Sequence, residues 1–147
     1  MPSHPVVLAL LLSLLPALAP AASPLQETES PPMAAAKKWL ALLDQGQLEQ
    51  AWNQADASLR QTNELGKWSI ELRRQRQSQA AVECRRNLEL KELDNPDRVE
   101  ILFLTQFDDG QLVGERITVT DGEGSQPRVT AYRSGPPLPD RGPACEQ

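Results

Sequence analysis

The chain has 147 residues, a formal net charge of −5, two cysteines and a single histidine, His4. An acidic chain of one-domain length argues against nucleic acid or an anionic lipid surface as the main partner. With no histidine after residue 4, the body of the chain is closed to Ser-His-Asp and Cys-His catalysis and to histidine metal sites, and two cysteines cannot build a structural zinc site. No cofactor is expected.

The first element in chain order is apolar. Val6 to Leu15 is almost unbroken, Pro16 ends it, and the small residues Ala17, Ala19, Ala21 and Ala22 follow. This reads as a secretory signal peptide over residues 1–22, cut after Ala21 or Ala22. The run is too short for a permanent span. Met-Pro-Ser-His before it lacks the usual lysine or arginine, and no cysteine lies near the cut to carry a lipid. The mature chain is therefore expected to be periplasmic or secreted, with no membrane span left after cleavage.

Residues 23–32 form a polar, proline-rich leader expected to be disordered. One domain is expected over residues 33–134. Ala36, Trp39, Leu40 and Leu43 recur at helical spacing, and Gly46 suits the left-handed cap that ends such a helix. Leu48, Ala51, Trp52, Ala55 and Leu59 make a second helical stripe. Thr62 or Asn63 is placed to cap a third helix with apolar positions Leu65, Trp68 and Leu72, ending near Arg76. The period then changes. Val82 to Leu93, Arg98 to Phe107, Leu112 to Thr120 and Pro127 to Arg133 read as four strands, separated by Asp/Asn/Gly/Pro turn signals. Short links make an antiparallel meander, covered on one face by the helices. The expected class is α+β: three N-terminal helices on a four-stranded antiparallel sheet. The proline-rich tail, residues 135–147, is expected to hold no regular structure, and Ser134 with it.

Several of these segments carry a recurring pattern. It includes Trp39-Leu40-Ala41-Leu42-Leu43-Asp44-Gln45-Gly46, Trp52-Asn53-Gln54-Ala55, Trp68 with Arg76 and Arg85, Glu115-Arg116-Ile117-Thr118-Val119, and Arg128-Val129-Thr130-Ala131-Tyr132. In these residues the chain resembles a bacterial family known as domain of unknown function 4019, over roughly residues 34 to 133. It departs from the family at Gln77-Ser78-Gln79-Ala80, where Ala-Pro-Leu-Gly is usual, and at Pro127, where an aromatic residue is usual. The resemblance implies an exported location and a curved, cone-shaped fold similar to nuclear transport factor 2 and the cystatin-like group. It implies no activity.

Glu115 is the most informative polar position. Strand alternation sets it on one face with Val113, Ile117 and Val119, and a carboxylate turned inward there needs a cation such as Arg85 or Arg76. A structural ion pair is the plain expectation; a ligand-binding group in a concavity is the functional one. Tyr132, the sole tyrosine, is placed to donate into the same concavity, so Glu115, Arg76, Arg85 and Tyr132 form the candidate ligand-binding set. Trp39, Trp52 and Trp68 read as core. Arg73, Arg74, Arg76, Arg85 and Arg86 form a local basic cluster, either a patch for an anion or partner or a set paired with Glu71, Glu83 and Glu115. Asp121-Gly122-Glu123-Gly124 lacks the spaced ligands of a calcium loop and reads as a hairpin turn.

Cys84 and Cys145 are expected to form a disulfide in an oxidising compartment, with an intermolecular bridge or two free thiols as the alternatives. The leading functional reading is an exported, non-catalytic binding or accessory domain of the cell envelope, its partner a protein or a small ligand. The rivals are a small isomerase or hydratase using Glu115 and Tyr132, by likeness of fold to ketosteroid isomerase, and a homodimeric protein-interaction module.

Overall fold

Pro31 and Pro32 open the first helix, α1 (Pro31–Asp44), two residues earlier than the apolar period implies. Proline fits the first turn because its fixed φ is already helical and its missing N–H would have had no partner. The computed structural model describes residues 1, 29–76, 80–94, 97–120, 126–137, 139 and 142–145. The expected signal peptide, most of the leader and the Asp121–Gly124 turn lie outside the described residues.

At the other end of α1, Gly46 takes φ +70°. Its N–H donates to Leu43 O at 3.0 Å, and the Gln47 N–H donates to Leu42 O at 2.8 Å. This pair of bonds closes the helix in a Schellman arrangement that needs the left-handed glycine.

The second stripe is two helices, not one: α2 (Leu48–Gln54) and α3 (Ala57–Thr62). Ala55 leaves the helical region with ψ 163°, and Asp56 caps α3 by accepting from the Ser58 N–H at 2.8 Å. The Asp56 N–H meanwhile donates to Val129 O in the sheet at 2.8 Å. A cap and a tertiary hydrogen bond outweigh the period, and the described residues hold four helices rather than three.

Thr62 and Asn63 do not cap the next helix. Their side chains reach back and donate to Leu59 O, the former to Ser58 O as well, closing α3. The last helix, α4 (Leu65–Arg76), follows and ends where expected.

The strands are β1 (Val82–Glu92), β2 (Arg98–Phe107), β3 (Leu112–Thr120) and β4 (Val129–Gly135), in one antiparallel sheet of order β1-β2-β3-β4. β4 begins two residues later than expected. It also runs on through Ser134 and Gly135, which pair with Glu115 and Gly114, so regular structure extends into the segment read as tail. Pro127 has no N–H for the ladder, and the chain is instead steered by Arg128, whose N–H donates to Thr120 Oγ1. Irregularities at Val82/Cys84 and Asn87/Glu89 bend β1.

One face of the sheet receives the helices. Val99, Ile101 and Phe103 of β2, Ile117 and Val119 of β3 and Val129 of β4 form a single core with Trp39, Leu40 and Leu43 of α1 and Leu72 of α4. Helix α1 lies across β2, β3 and β4, and α3 leans on β4.

Part of the opposite face is also covered. Leu104 points away from the helices by strand alternation, yet is only 1% exposed. Beyond β4 the chain turns back: a Cβ on Gly114 would stand 3.1 Å from Pro136 O. The chain then reaches Cys145, which is bonded to Cys84 on β1. Leu104 stands between these two anchor points in the strand register, and Ala144, beside Cys145, is buried. The described parts of the tail thus form a strap anchored on the outer face of the sheet at β3 and at β1.

Candidate functional site

Strand register explains how the polar residues meet. Arg85 on β1 stands opposite Thr105 on β2, and Glu115 on β3 stands opposite Phe103, one diagonal step from Thr105. Tyr132 on β4 stands opposite Ile117, one diagonal step from Glu115 on its other side. Diagonal neighbours on one face are within reach of long side chains. All four point toward the helices, where the last residues of α1 and α4, Asp44 and Arg76, come down on them.

The result is a closed ring of charges. Arg85 donates from Nε to Glu115 Oε2 at 2.8 Å, and from Nη1 and Nη2 to the two Asp44 oxygens at 2.8 and 3.0 Å. Arg76 donates from Nη1 to Asp44 Oδ1 at 2.9 Å and from Nη2 to Glu115 Oε1 at 2.8 Å. Tyr132 Oη donates to Glu115 Oε1 at 2.7 Å, and the Thr105 hydroxyl donates to Glu115 Oε2. Two acids and two arginines leave no net charge. Each Glu115 oxygen accepts two hydrogen bonds, which uses the lone pairs a carboxylate has.

Burial at this depth disfavours charge, and the neighbours reverse that effect. For Glu115, burial pushes the carboxyl upward, but Arg85, Thr105, Arg76 and Tyr132 together hold it below the usual carboxylate range. Asp44 behaves alike: Arg85 and Arg76 outweigh its burial and keep it low. Burial also works against both guanidiniums. Arg76 is held protonated by the Glu115 and Asp44 carboxylates, and Arg85 by Asp44 and Glu115. Burial and the Glu115 carboxylate push the Tyr132 phenol up, so its hydroxyl remains a donor.

Aromatic contacts brace the same centre. The Tyr132 ring lies 5.6 Å from Trp39, Trp39 lies 6.2 Å from Trp68, and Trp68 lies 5.3 Å from Trp52, all tilted. Trp39 is buried and donates its indole N–H to Ala51 O at 2.8 Å; Trp52 and Trp68 are only partly buried at the edge of the core.

All four residues of the candidate set therefore converge. Sequence reasoning missed two partners, Asp44 and Thr105. An acid at the C-terminal end of a helix opposes the helix dipole, and that misfit was a readable sign of a cation nearby. Thr105 breaks an inward run of Val99, Ile101, Phe103 and Phe107, a second readable sign. The basic cluster, by contrast, divides: Arg76 and Arg85 enter the ring, Arg74 pairs with Glu71, and Arg73 is exposed with no ion pair among the described residues. Among the described residues no three acidic or cysteine side chains gather as a metal site.

Beside the ring lies a cleft of about 560 Å³. Its apolar walls include Leu48, Leu72, Val82 and Phe107, and its polar end is formed by Asp44, Arg76 and Arg73. Glu115 and Tyr132 do not line it. The Arg76 Nε, buried at that end, has no hydrogen-bond partner among the described residues.

No described helix is long and apolar enough to cross a membrane. Comparison with curated proteins and with solved structures finds no match. The family model described as protein of unknown function (DUF4019) matches residues 35–132, and the chain belongs to that family.

Proposed function

We propose that this chain is an exported, non-catalytic binding domain of the bacterial cell envelope, and that its ligand enters the cleft beside the Asp44–Arg76–Glu115–Arg85 ring. The observation that carries the reading is the division of labour between two neighbouring features. Glu115 has every lone pair occupied by residues of this chain, so it is framework. The cleft next to it has apolar walls, an open polar end and no described residue filling it.

The same division speaks against the isomerase or hydratase reading. Tyr132 does sit 2.7 Å from Glu115. But an acid–base pair must share an open site with the substrate atom it serves. Here the carboxylate is engaged four times over and the pair lies off the cleft. Export is supported by the apolar segment at residues 6–15, with its small-residue exit, and by the Cys84–Cys145 bond, which suits an oxidising compartment.

Native mass spectrometry on the protein recovered from the envelope of its host tests the reading. The expected species lacks residues 1–22, carries one disulfide and retains a small molecule. An uncleaved chain with free thiols in the cytosolic fraction would overturn it.

A further inference from the structure

The cleft shows what kind of ligand it takes. Resting on the binding-domain reading above, we infer that it holds a small amphipathic anion, an apolar chain ending in a carboxylate or similar acid, with Arg73 as the residue that receives the charged end.

Three observations converge. First, the walls are core side chains: Leu48, Leu72 and Phe107 are buried residues whose faces form the cleft lining, so its floor is apolar and rigid. An apolar tail gains free energy there roughly in proportion to the area it removes from water.

Second, the ionised groups at the polar end do not cancel. Asp44, Arg76 and Arg73 line it. Asp44 is already bound twice by Arg85 and once by Arg76, which leaves it no unshared charge to offer a cation.

Third, Arg73 is the exception on its own helix. Arg74, one residue on, is tied to Glu71, and Arg76 is tied to Asp44 and Glu115, while Arg73 makes no ion pair among the described residues. In a chain of net charge −5, an arginine with no acid paired to it among the described residues, lining an apolar cleft, is a place for an anion from outside. Arg73 lines the adjoining depression along α2 and α4 as well, beside Ile70, which is 67% exposed, so a tail longer than the cleft can continue along α4. Both chemistry and length therefore favour a chain-like acid over a compact polar anion such as phosphate.

The test uses three ten-carbon probes that differ only at the head: decanoate, decanol and decylammonium. Each is titrated into the disulfide-bonded protein recovered from an expressing bacterium's envelope and followed by backbone amide shifts in NMR. Decanoate is expected to bind tightest, with shifts at Leu48, Ala81, Val82 and Phe107. Arg73→Gln is expected to weaken decanoate by about fivefold, in the range of a partly exposed ion pair, and to leave decanol unchanged. Arg73→Glu is expected to reverse the order, so that decylammonium overtakes decanoate. Both substitutions are at an exposed position, and unchanged amide spectra away from the cleft will show that the fold is intact.

Decanol or decylammonium binding the unaltered protein as tightly as decanoate would overturn the anion and leave the binding domain standing. Silence of the cleft amides toward all three probes would overturn both.

Discussion

Asp44 and Glu115 share both of their arginines: each carboxylate is bound by Arg76 and by Arg85, so the two acids are bridged twice. The bridge joins the end of α1 to the middle of β3, and its arginines bring in the end of α4 and strand β1. Thr105 and Tyr132 add β2 and β4. One side chain from each of six elements meets at a point. A small domain with short helices thereby acquires a polar centre that accepts one arrangement of its parts and rejects slipped registers. Such specificity is the best-attested use of buried polar groups.

Removing Glu115 should therefore cost far more than one ion pair. Glu115→Leu leaves two guanidiniums facing a single aspartate in a buried setting. The expected loss is about 3–5 kcal/mol, read as a fall in the urea midpoint. Adding Arg85→Met to it should cost less than the two single losses summed, with a coupling of about 1–3 kcal/mol, because the second change removes a charge the first one stranded. Strict additivity would mean that the ring is not one unit.

Acid should dissolve the same centre. The Glu115 and Asp44 carboxyls are both held below their ordinary values in the folded state. Their contribution is thus fully present above the unfolded values, about 3.9 for Asp and 4.3 for Glu, and is lost as pH falls through the folded ones. Urea midpoints measured from pH 7 downward should hold nearly level until about pH 4 and then drop steeply. In Glu115→Gln the drop should be shallower, since one of the two titrating groups is gone.

Much of this centre was legible before any coordinates. The inward face of β3 and the need of Glu115 for Arg76 or Arg85 follow from alternation and from the cost of a bare buried charge. The ends of β2 and β3 are marked by their turn residues, and Gly46 by its cap. The break at Ala55–Asp56 was not legible, because the apolar stripe runs straight through it, and the Asp56 cap acts together with a bond to Val129, 73 positions on in the sheet, to redirect the chain. Asp44 looked like part of a helix stop because local reasoning sees the cap and not the two arginines that arrive from α4 and β1. The cleft, too, is a property of packing: Leu48 and Leu72 read as positions on helical stripes, Val82 and Phe107 as strand ends, and nothing local says that they leave space between them.

The strap yields a separate prediction. Cys84 and Cys145 are 61 positions apart, and closing a loop of that length in the unfolded chain is worth about 4 kcal/mol in the chain-entropy account. Cys145→Ser, or reduction of the unaltered protein, should lower the urea midpoint by up to that amount. It should also let the tail leave the outer face of the sheet, which would appear as binding of a hydrophobic dye. Equal loss by mutation and by reduction, with no further loss on reducing the mutant, identifies the bond itself as the cause.

Gly114 tests whether the strap is held down or merely rests there. A Cβ at this position would meet Pro136 O at 3.1 Å, closer than a carbon and a backbone oxygen ordinarily come. With the disulfide intact the strap is fixed at both ends, by β4 and by Cys145, and has little room to give. Gly114→Ala should then destabilise the oxidised protein by about 1–3 kcal/mol, the usual cost of forcing a methyl group into a filled space. In the Cys145→Ser background the free tail can lift away, and the same substitution should cost less. The sign of the difference between backgrounds is fixed by the geometry. An equal cost in both would place the strain in β3 itself rather than in the strap above it.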